Sequence, residues 1–553
     1  MLLPTLLVLP FLASSRCSTP AEDDVRLIVL VSIDQMTPEQ LERLGPRFSG
    51  GFARFLGGER HRLAFHDHAD SSTGPGHATL GTGLWPSHSG IVGNLWADRA
   101  QGDAGIYCVA DPSVAPLGPL GPGAVGPAGR SPALLLGDGL ADHLKRASPG
   151  SRSVGIAGKD RAAILATGHA ADWALWWDAS GGQGFVSSTY YGDALPDWVA
   201  SFDEAWWNRL PDAGWETLEA SRDPRLGASA DVRAGEAPRT FPHALPLAVP
   251  REPGASNELG KQQRAQLSRW VYGSPWIDLF SIELAERALD ALDLGRDESV
   301  DYLFLGLSGC DIVGHSYGPR SLEVTDLLLR DDAALGELFD AIDARVGAEH
   351  WIAALSSDHG VLPLPESLDS RGYDAVRLAP NEMQLGSSRL GELLESTYGT
   401  NFVTGVTESG ILLDREAMER EGIGLEELAT FAREGSADWM PRLRTLFTQN
   451  DLAPREGSAP TGGLARLAAH SFLDTRSPDL VVVLEPWTLV GFPYGTSHGT
   501  PWPYDRHVPL LFLGPGSTPG EDWRPCATVD LVPSLLERAG CPIPDGLDGS
   551  PLH

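Results

Sequence analysis

Lysine is almost missing from this chain. Only Lys145, Lys159 and Lys261 occur in 553 residues, so arginine supplies nearly all of the 42 basic side chains set against 74 acidic ones. The formal net charge of -32 excludes nucleic acid or an anionic membrane surface as the main partner, because both need a basic face. A small anionic substrate would meet long-range repulsion, so binding one requires a local positive focus such as metal ions. Against this background a lysine is specified by its site. Cysteine is also scarce: Cys17, Cys108, Cys310, Cys526 and Cys541. A Cys526–Cys541 bridge fits an oxidising compartment, although spacing does not fix connectivity. The apolar run at residues 1–13 is too short to span a bilayer and resembles a signal-peptide core. Residues 1–20 therefore read as a signal peptide, and the protein as periplasmic or secreted. Ser14-Ser15-Arg16 before Cys17 is a poor lipidation signal.

A hydrophobic content of 42% excludes global disorder, and 63 glycines with 43 prolines imply many turns. Arg26 to Ile33 is a largely apolar run ending in Asp34, as expected of a strand buried on both faces of a parallel sheet. Similar runs recur at residues 302–307, 351–355, 480–484 and 509–513, separated in places by helical patterns such as Ser321 to Val346. The alternation predicts an α/β sheet with its site at the carboxyl ends of the strands. Residues 179–284 and 364–478 break the pattern and read as insertions covering that site. No internal repeat is present.

The stretch from Ser71 to Asn94 organises the chemistry. Thr73 precedes Gly74-Pro75-Gly76, which forces a sharp turn and clears side chains from around the hydroxyl; a helix can begin at His77. A hydroxyl beside a helix N-terminus suits a nucleophile attacking phosphorus or an acyl carbon. Three Asp and three His residues follow strands or occupy glycine-rich loops: Asp34, Asp311 with His315, Asp358 with His359, and His498. They can form two sites of three N/O ligands each, the open pattern of catalytic zinc. Asp358 and His359 can share one ion if their loop turns, or reach two if it stays extended. His66, His68, His77, His88 and His169 read as packed or hydrogen-bonded side chains, and Cys310 as a small core residue. Lys159 and Arg161, two apart in an expected extended segment, suit phosphoryl oxygens as a point charge beside a fork. The Asn94 amide can donate to the same oxygens.

Together these residues resemble the alkaline phosphatase superfamily of two-zinc hydrolases, in its PafA-type branch with a threonine nucleophile. The matching motifs are Ile33-Asp34-Gln35-Met36, Thr73-Gly74-Pro75-Gly76-His77-Ala78, Gly90-Ile91-Val92-Gly93-Asn94, Gly158-Lys159-Asp160-Arg161, Asp311 with His315, Ser357-Asp358-His359-Gly360 and Ser497-His498-Gly499. The ending Thr528-Val529-Asp530-Leu531-Val532-Pro533, with Gly546-Leu547-Asp548-Gly549, also looks like this superfamily. The resemblance runs from about residue 25 to the end. It implies an α/β/α sandwich with a mostly parallel central sheet and inserted cap regions, making residues 25–553 one catalytic domain. It implies one Zn2+ on Asp311, His315 and His498, and a second on Asp34, Asp358 and His359 that also touches Thr73. Lys159, Arg161 and Asn94 would bind the nonbridging phosphoryl oxygens.

The implied activity is hydrolysis of small phosphate monoesters through a phosphothreonine, by a chain read as a monomer. Metal charge focused at the site would outweigh diffuse repulsion that salt screens beyond about 10 Å. The related pyrophosphatase/phosphodiesterases share the metals and the threonine but are not expected to carry the Lys-x-Arg pair. That activity is the alternative, followed by a non-catalytic protein holding phosphate or a glycan. A sulfatase is disfavoured because no cysteine lies in the Thr73 segment.

Overall fold

The computed structural model of the chain describes residues 25–98, 105–119, 121–122, 129–227, 233–249, 259–453, 462–491 and 493–553. The segment read as a signal peptide and Cys17 lie outside these residues. The apolar run after Arg26 is the strand Leu27–Ile33, buried at every position. Its side chains alternate between faces, as a strand requires. Leu27, Val29, Val31 and Ile33 pack against the helices Leu322–Val346 and Trp276–Ala291. Ile28 and Leu30 pack on the other side against Leu140–Ala147, Asp160–Leu165 and Leu531–Arg538. Helices on both faces of one sheet make an α/β/α sandwich.

From edge to edge the 11 strands of that sheet are Gly520–Ala527, Glu59–Phe65, Leu510–Leu513, Trp351–Ser356, Leu27–Ile33, Asp301–Leu307, Ser153–Ala157, Trp173–Trp177, Phe185–Ser188, Pro116–Gly118 and Gly121–Pro122. The block from Trp351–Ser356 to Trp173–Trp177 is parallel throughout. Leu510–Leu513 pairs antiparallel to Trp351–Ser356. The run at 480–484, expected beside the central strands, lies elsewhere. Leu480–Leu484 joins Val403–Thr407, Gly410–Leu413 and Leu443–Phe447 in a separate 4-stranded antiparallel sheet. Its Val481 and Val482 are half-buried on opposite faces and pack against separate apolar clusters, so the unbroken apolar run marks an inner strand of this small sheet, covered in part on both sides.

Much of 364–478 builds around that second sheet, with its own core of Leu390, Phe402, Trp439 and Leu446. The segment 179–284 is tied to the sandwich instead. Its Phe185–Ser188 strand extends the main sheet, and its Trp206 and Trp215 sit in the main core. The long helix Leu322–Val346 is capped by Ser321, whose hydroxyl accepts from Val324 N–H at 3.1 Å. Within it, Asp332 accepts the backbone N–H groups of Ser49, Gly50, Phe52 and Ala53 at 2.7–3.2 Å. These are donors that open the helix Gly51–Leu56 and have no partner within it. The bridge expected between Cys526 and Cys541 does not form: both side chains are thiols, and Cys541 Sγ donates to its near neighbour, the Ala539 carbonyl, at 3.7 Å.

Candidate active site

Four neighbouring strands deliver the site. In sheet order, Trp351–Ser356 leads to Asp358 and His359, Leu27–Ile33 to Asp34, Asp301–Leu307 to Asp311 and His315, and Ser153–Ala157 to Lys159 and Arg161. Parallel pairing puts all four carboxyl ends at one rim, where the chain leaves the sheet and side chains are free to converge. Asp311 and His315 sit four apart on the helix Gly309–Tyr317, so they share a face, with His315 Nε2 3.1 Å from Asp311 Oδ1. His498 arrives on a loop stitched to this rim: its Nδ1 lies 2.9 Å from Ser71 O, and His315 Nδ1 lies 2.8 Å from Thr496 O. His498 Nε2 is then 3.4 Å from Asp311 Oδ1.

Thr73 is buried and opens the helix Thr73–Thr82 with Ser72 as N-cap, so the helix starts four residues earlier than the sequence suggests. The glycines explain its placement. A Cβ at Gly76 would overlap the Asp358 carbonyl oxygen, and one at Gly74 would lie 3.2 Å from Asn94 Oδ1. The helix can therefore press its first turn directly against the Asp358 loop. Lys159 Nζ stands 3.3 Å and Arg161 Nη2 3.2 Å from Thr73 Oγ1. The two cations do not share an extended segment, as was expected. Lys159 is the extended N-cap residue, and Arg161 lies in the first turn of the helix Asp160–Leu165. They still converge on one hydroxyl. Asn94 Oδ1 accepts the Gly74 N–H at 2.8 Å, which turns the NH2 end of the amide toward the cleft that Asn94 lines.

The site is short of positive charge. Lys159 Nζ lies 2.6 Å from Asp34 Oδ2 and 2.5 Å from Asp311 Oδ2, and all three groups are buried with Asp358. Burial alone would lower Lys159, yet Asp311 and Asp34 hold its pKa above the ordinary lysine value. Burial pushes Asp34 well above the usual carboxylate range, aided by Asp358. For Asp311, His315 and Lys159 outweigh burial and hold it low; for Asp358, His359 and His77 do the same. Burial lowers both His359 and His498, which favours neutral imidazoles.

Three buried carboxylates against one lysine leave a deficit that cations would neutralise. Among the described residues, Asp34 Oδ1, Asp358 Oδ2 and His359 Nε2 are buried without a hydrogen-bond partner. His315, His359 and His498 each tie Nδ1 to a backbone carbonyl at 2.8–2.9 Å, which leaves Nε2 as the inward ligand. Donor atoms within 4.8 Å of one another form the groups Asp311–His315–His498, Asp34–Asp311–His359 and Asp34–His77–Asp358. This donor set fits divalent cations of the zinc type. The Asp358–His359 loop turns, bringing His359 Nε2 to 3.2 Å from Asp358 Oδ2 and 3.4 Å from Asp34 Oδ1.

Two residues escaped the sequence reading as parts of this cluster. His77, read as a packed or hydrogen-bonded side chain, is buried and hydrogen-bonded as expected, but inside the cluster: it lies one helical turn beyond Thr73, its Nδ1 3.0 Å from Thr73 O and 3.1 Å from Asp358 Oδ2. Gln35 adopts φ 72, in the left-handed region, and links the clusters: its N–H donates to Asp358 Oδ1 at 3.2 Å and its Nε2 to Asp311 Oδ1 at 2.7 Å. The Thr73-to-His77 spacing, one turn apart, was the available signal for His77; nothing in the sequence marked Gln35 beyond its place after Asp34. His66 and His68 are packed as expected, with His66 Nε2 2.9 Å from Ser357 O. A cleft of about 630 Å³ opens over Thr73, walled on its far side by Met383, Glu408 and Leu412 of the second sheet's region.

The sandwich is an alkaline-phosphatase-like α/β fold. A crystal structure of wild-type alkaline phosphatase PafA superposes with a TM-score of 0.82 at 26% identity, covering 96% of this chain and 99% of that one. Within that class the chain belongs to the type I phosphodiesterase / nucleotide pyrophosphatase family, which it matches over residues 28–501. The alkaline phosphatase PafA of Elizabethkingia meningoseptica is 29% identical over 544 residues, 95% of this chain and 94% of its own. The alkaline phosphatase PhoK of a Sphingomonas species is 30% identical over 563 residues, 97% of this chain and 92% of its own.

Proposed function

We propose that this protein is a secreted, two-zinc phosphate monoesterase acting through Thr73. One observation carries the reading: Lys159 and Arg161 converge on Thr73 Oγ1 at 3.3 and 3.2 Å, beside a cluster of carboxylate and imidazole donors. Asp311, His315 and His498 would hold one zinc, and Asp34, Asp358 and His359 the other. When bound, the ions would lower the pKa of the Thr73 hydroxyl and stabilise charge on the leaving oxygen.

Thr73 Oγ loses its proton to solvent and attacks phosphorus in line; the bond to the leaving oxygen breaks, that oxygen takes up a proton from water and departs as the alcohol, and a phosphothreonine forms. Water then attacks that phosphorus from the vacated side and returns the threonine. Lys159 and the Arg161 fork neutralise the equatorial oxygens, where charge sits during transfer. The Asn94 NH2 donates to the same oxygens. Tyr107 supports Arg161 from behind, its hydroxyl accepting from Nη1 at 3.3 Å. The first turn of the Thr73 helix adds its N–H dipoles to the same focus.

The family match favours a second reading, a phosphodiesterase or nucleotide pyrophosphatase with the same nucleophile. Turnover of phenyl phosphate against methyl phenyl phosphate separates the two, with zinc content measured on the same sample. A strong preference for the diester overturns the monoesterase reading. Thr73→Ala should abolish phosphoenzyme while retaining zinc; a phosphoenzyme that survives it removes Thr73 as nucleophile. Of the described helices, none is long and apolar enough to cross a membrane.

A further inference from the structure

A second cavity, of about 210 Å³, lies beside the cleft over Thr73 and shares Met383, Val490, Ser497, His498 and Gly499 with it. Its remaining walls are mainly apolar, with Leu362, Phe472, Val482 and Leu489 among them. Its position matters because of His498. In-line displacement puts the leaving oxygen on the face of phosphorus opposite Thr73. Of the two ligand groups proposed above, the one that would not touch Thr73 is Asp311, His315 and His498, so that side would receive the leaving oxygen. The leaving group is thereby directed toward the wall that cleft and cavity share.

We infer that this cavity is the leaving-group subsite, and that it selects monoesters of apolar, non-anionic alcohols and phenols. The inference rests on the monoesterase reading. Three observations carry it. The volume suits one aromatic ring or a short alkyl chain, since a cavity of about 150 Å³ already accepts benzene. The lining is apolar, as in sites that bury a ligand's body and leave a few polar groups to orient it. Two carboxyl side chains, Asp70 and Glu408, border both cavity and cleft; burial holds both above the usual carboxylate range, Asp70 at about 7, so at alkaline pH, where they ionise, both would repel an anionic leaving group.

A series of n-alkyl phosphates from methyl to hexyl tests this, because chain length changes burial while barely changing leaving-group basicity. Each added methylene should raise kcat/KM about three- to fourfold until the cavity is full. A flat series, with methyl phosphate still turned over, overturns the inference and leaves the monoesterase reading standing. No turnover of any alkyl monoester overturns both. A terminal carboxylate, as in 5-carboxypentyl phosphate, should cost at least tenfold against pentyl phosphate, and equal rates would refute the charge argument. Val482→Phe fills the cavity from a half-buried strand position. It should lower the ratio of phenyl to methyl phosphate turnover at least tenfold, and an unchanged ratio counts against the subsite. Should that variant fail to fold, the wild-type alkyl series decides alone.

Discussion

Removing Arg161 is the sharpest test of how the site reads charge. Its guanidinium presents Nη2 toward Thr73 Oγ1 at 3.2 Å and is braced through Nη1 by Tyr107. No carboxylate of the candidate ligand groups depends on it, since Lys159 carries the ion pairs to Asp34 and Asp311. Arg161→Ala therefore removes a substrate contact without stranding a buried acid. Two hydrogen bonds from a cation to a phosphoryl dianion are worth about 1.5–3 kcal/mol each, so about 3–6 kcal/mol together. At about 1.4 kcal/mol per decade, kcat/KM for phenyl phosphate should fall about 10²- to 10⁴-fold. Methyl phenyl phosphate has the same leaving group but one fewer charged oxygen. The fork loses roughly half its partners there, and the expected loss is about 10- to 10²-fold. The assay is kcat/KM for both esters in wild type and Arg161→Ala, with Arg161→Lys retaining part of the monoester rate. Lys159→Ala added to Arg161→Ala should widen the gap. Equal losses on the two esters would refute the claim that the Lys–Arg pair specifies a dianion.

Three further outcomes follow from the geometry. Gly76→Ala would drive a Cβ into the Asp358 carbonyl and push the Thr73 helix off its seat, so kcat should fall about 10²-fold; an unchanged kcat would show that the helix seat does not position the nucleophile. Asp332→Ala leaves four backbone N–H groups unpaired and should cost about 3–5 kcal/mol in urea unfolding, with Asp332→Asn costing clearly less; a loss below about 1 kcal/mol would contradict the capping role. Burial pushes Asp505 from 3.8 up to about 8, so the folded state holds its proton where the unfolded chain has released it. Stability should therefore drop by up to about 1.4 kcal/mol per pH unit as pH rises from about 4 to 8, and Asp505→Asn should flatten that slope.

What the sequence revealed depended on how each residue meets the sheet. Asp34 and Asp358 were legible because each follows a largely apolar run, and a run buried on both faces has few places to end except at a rim. Asp311 and His315 were legible from their spacing, which one helical turn converts into a shared face. Lys159 stood out because lysine is so rare here. The strand 480–484 was misassigned because an apolar run of five residues fits an inner strand of either sheet, and only its neighbours decide. The conformation at Lys159 and Arg161 was missed because the helix begins between them, at Asp160.

What no local pattern carries is the order of strands. Asp358, Asp34, Asp311 and Lys159 are far apart in sequence, and the chain meets them as Asp34, Lys159, Asp311, Asp358. The sheet rearranges them so that Asp34 stands beside Asp311 on one side and Asp358 on the other. Lys159 follows on the next strand, within 2.6 Å of two of those carboxylates. This order gathers three carboxylates around one lysine, a deficit that bound cations would have to answer in a chain with a net charge of -32. The lysine's charge is not spread over a basic surface but buried at the one rim where three carboxylates, four imidazoles and a threonine hydroxyl converge. There the low dielectric makes each contact count for more than the distant acidic surface that salt screens.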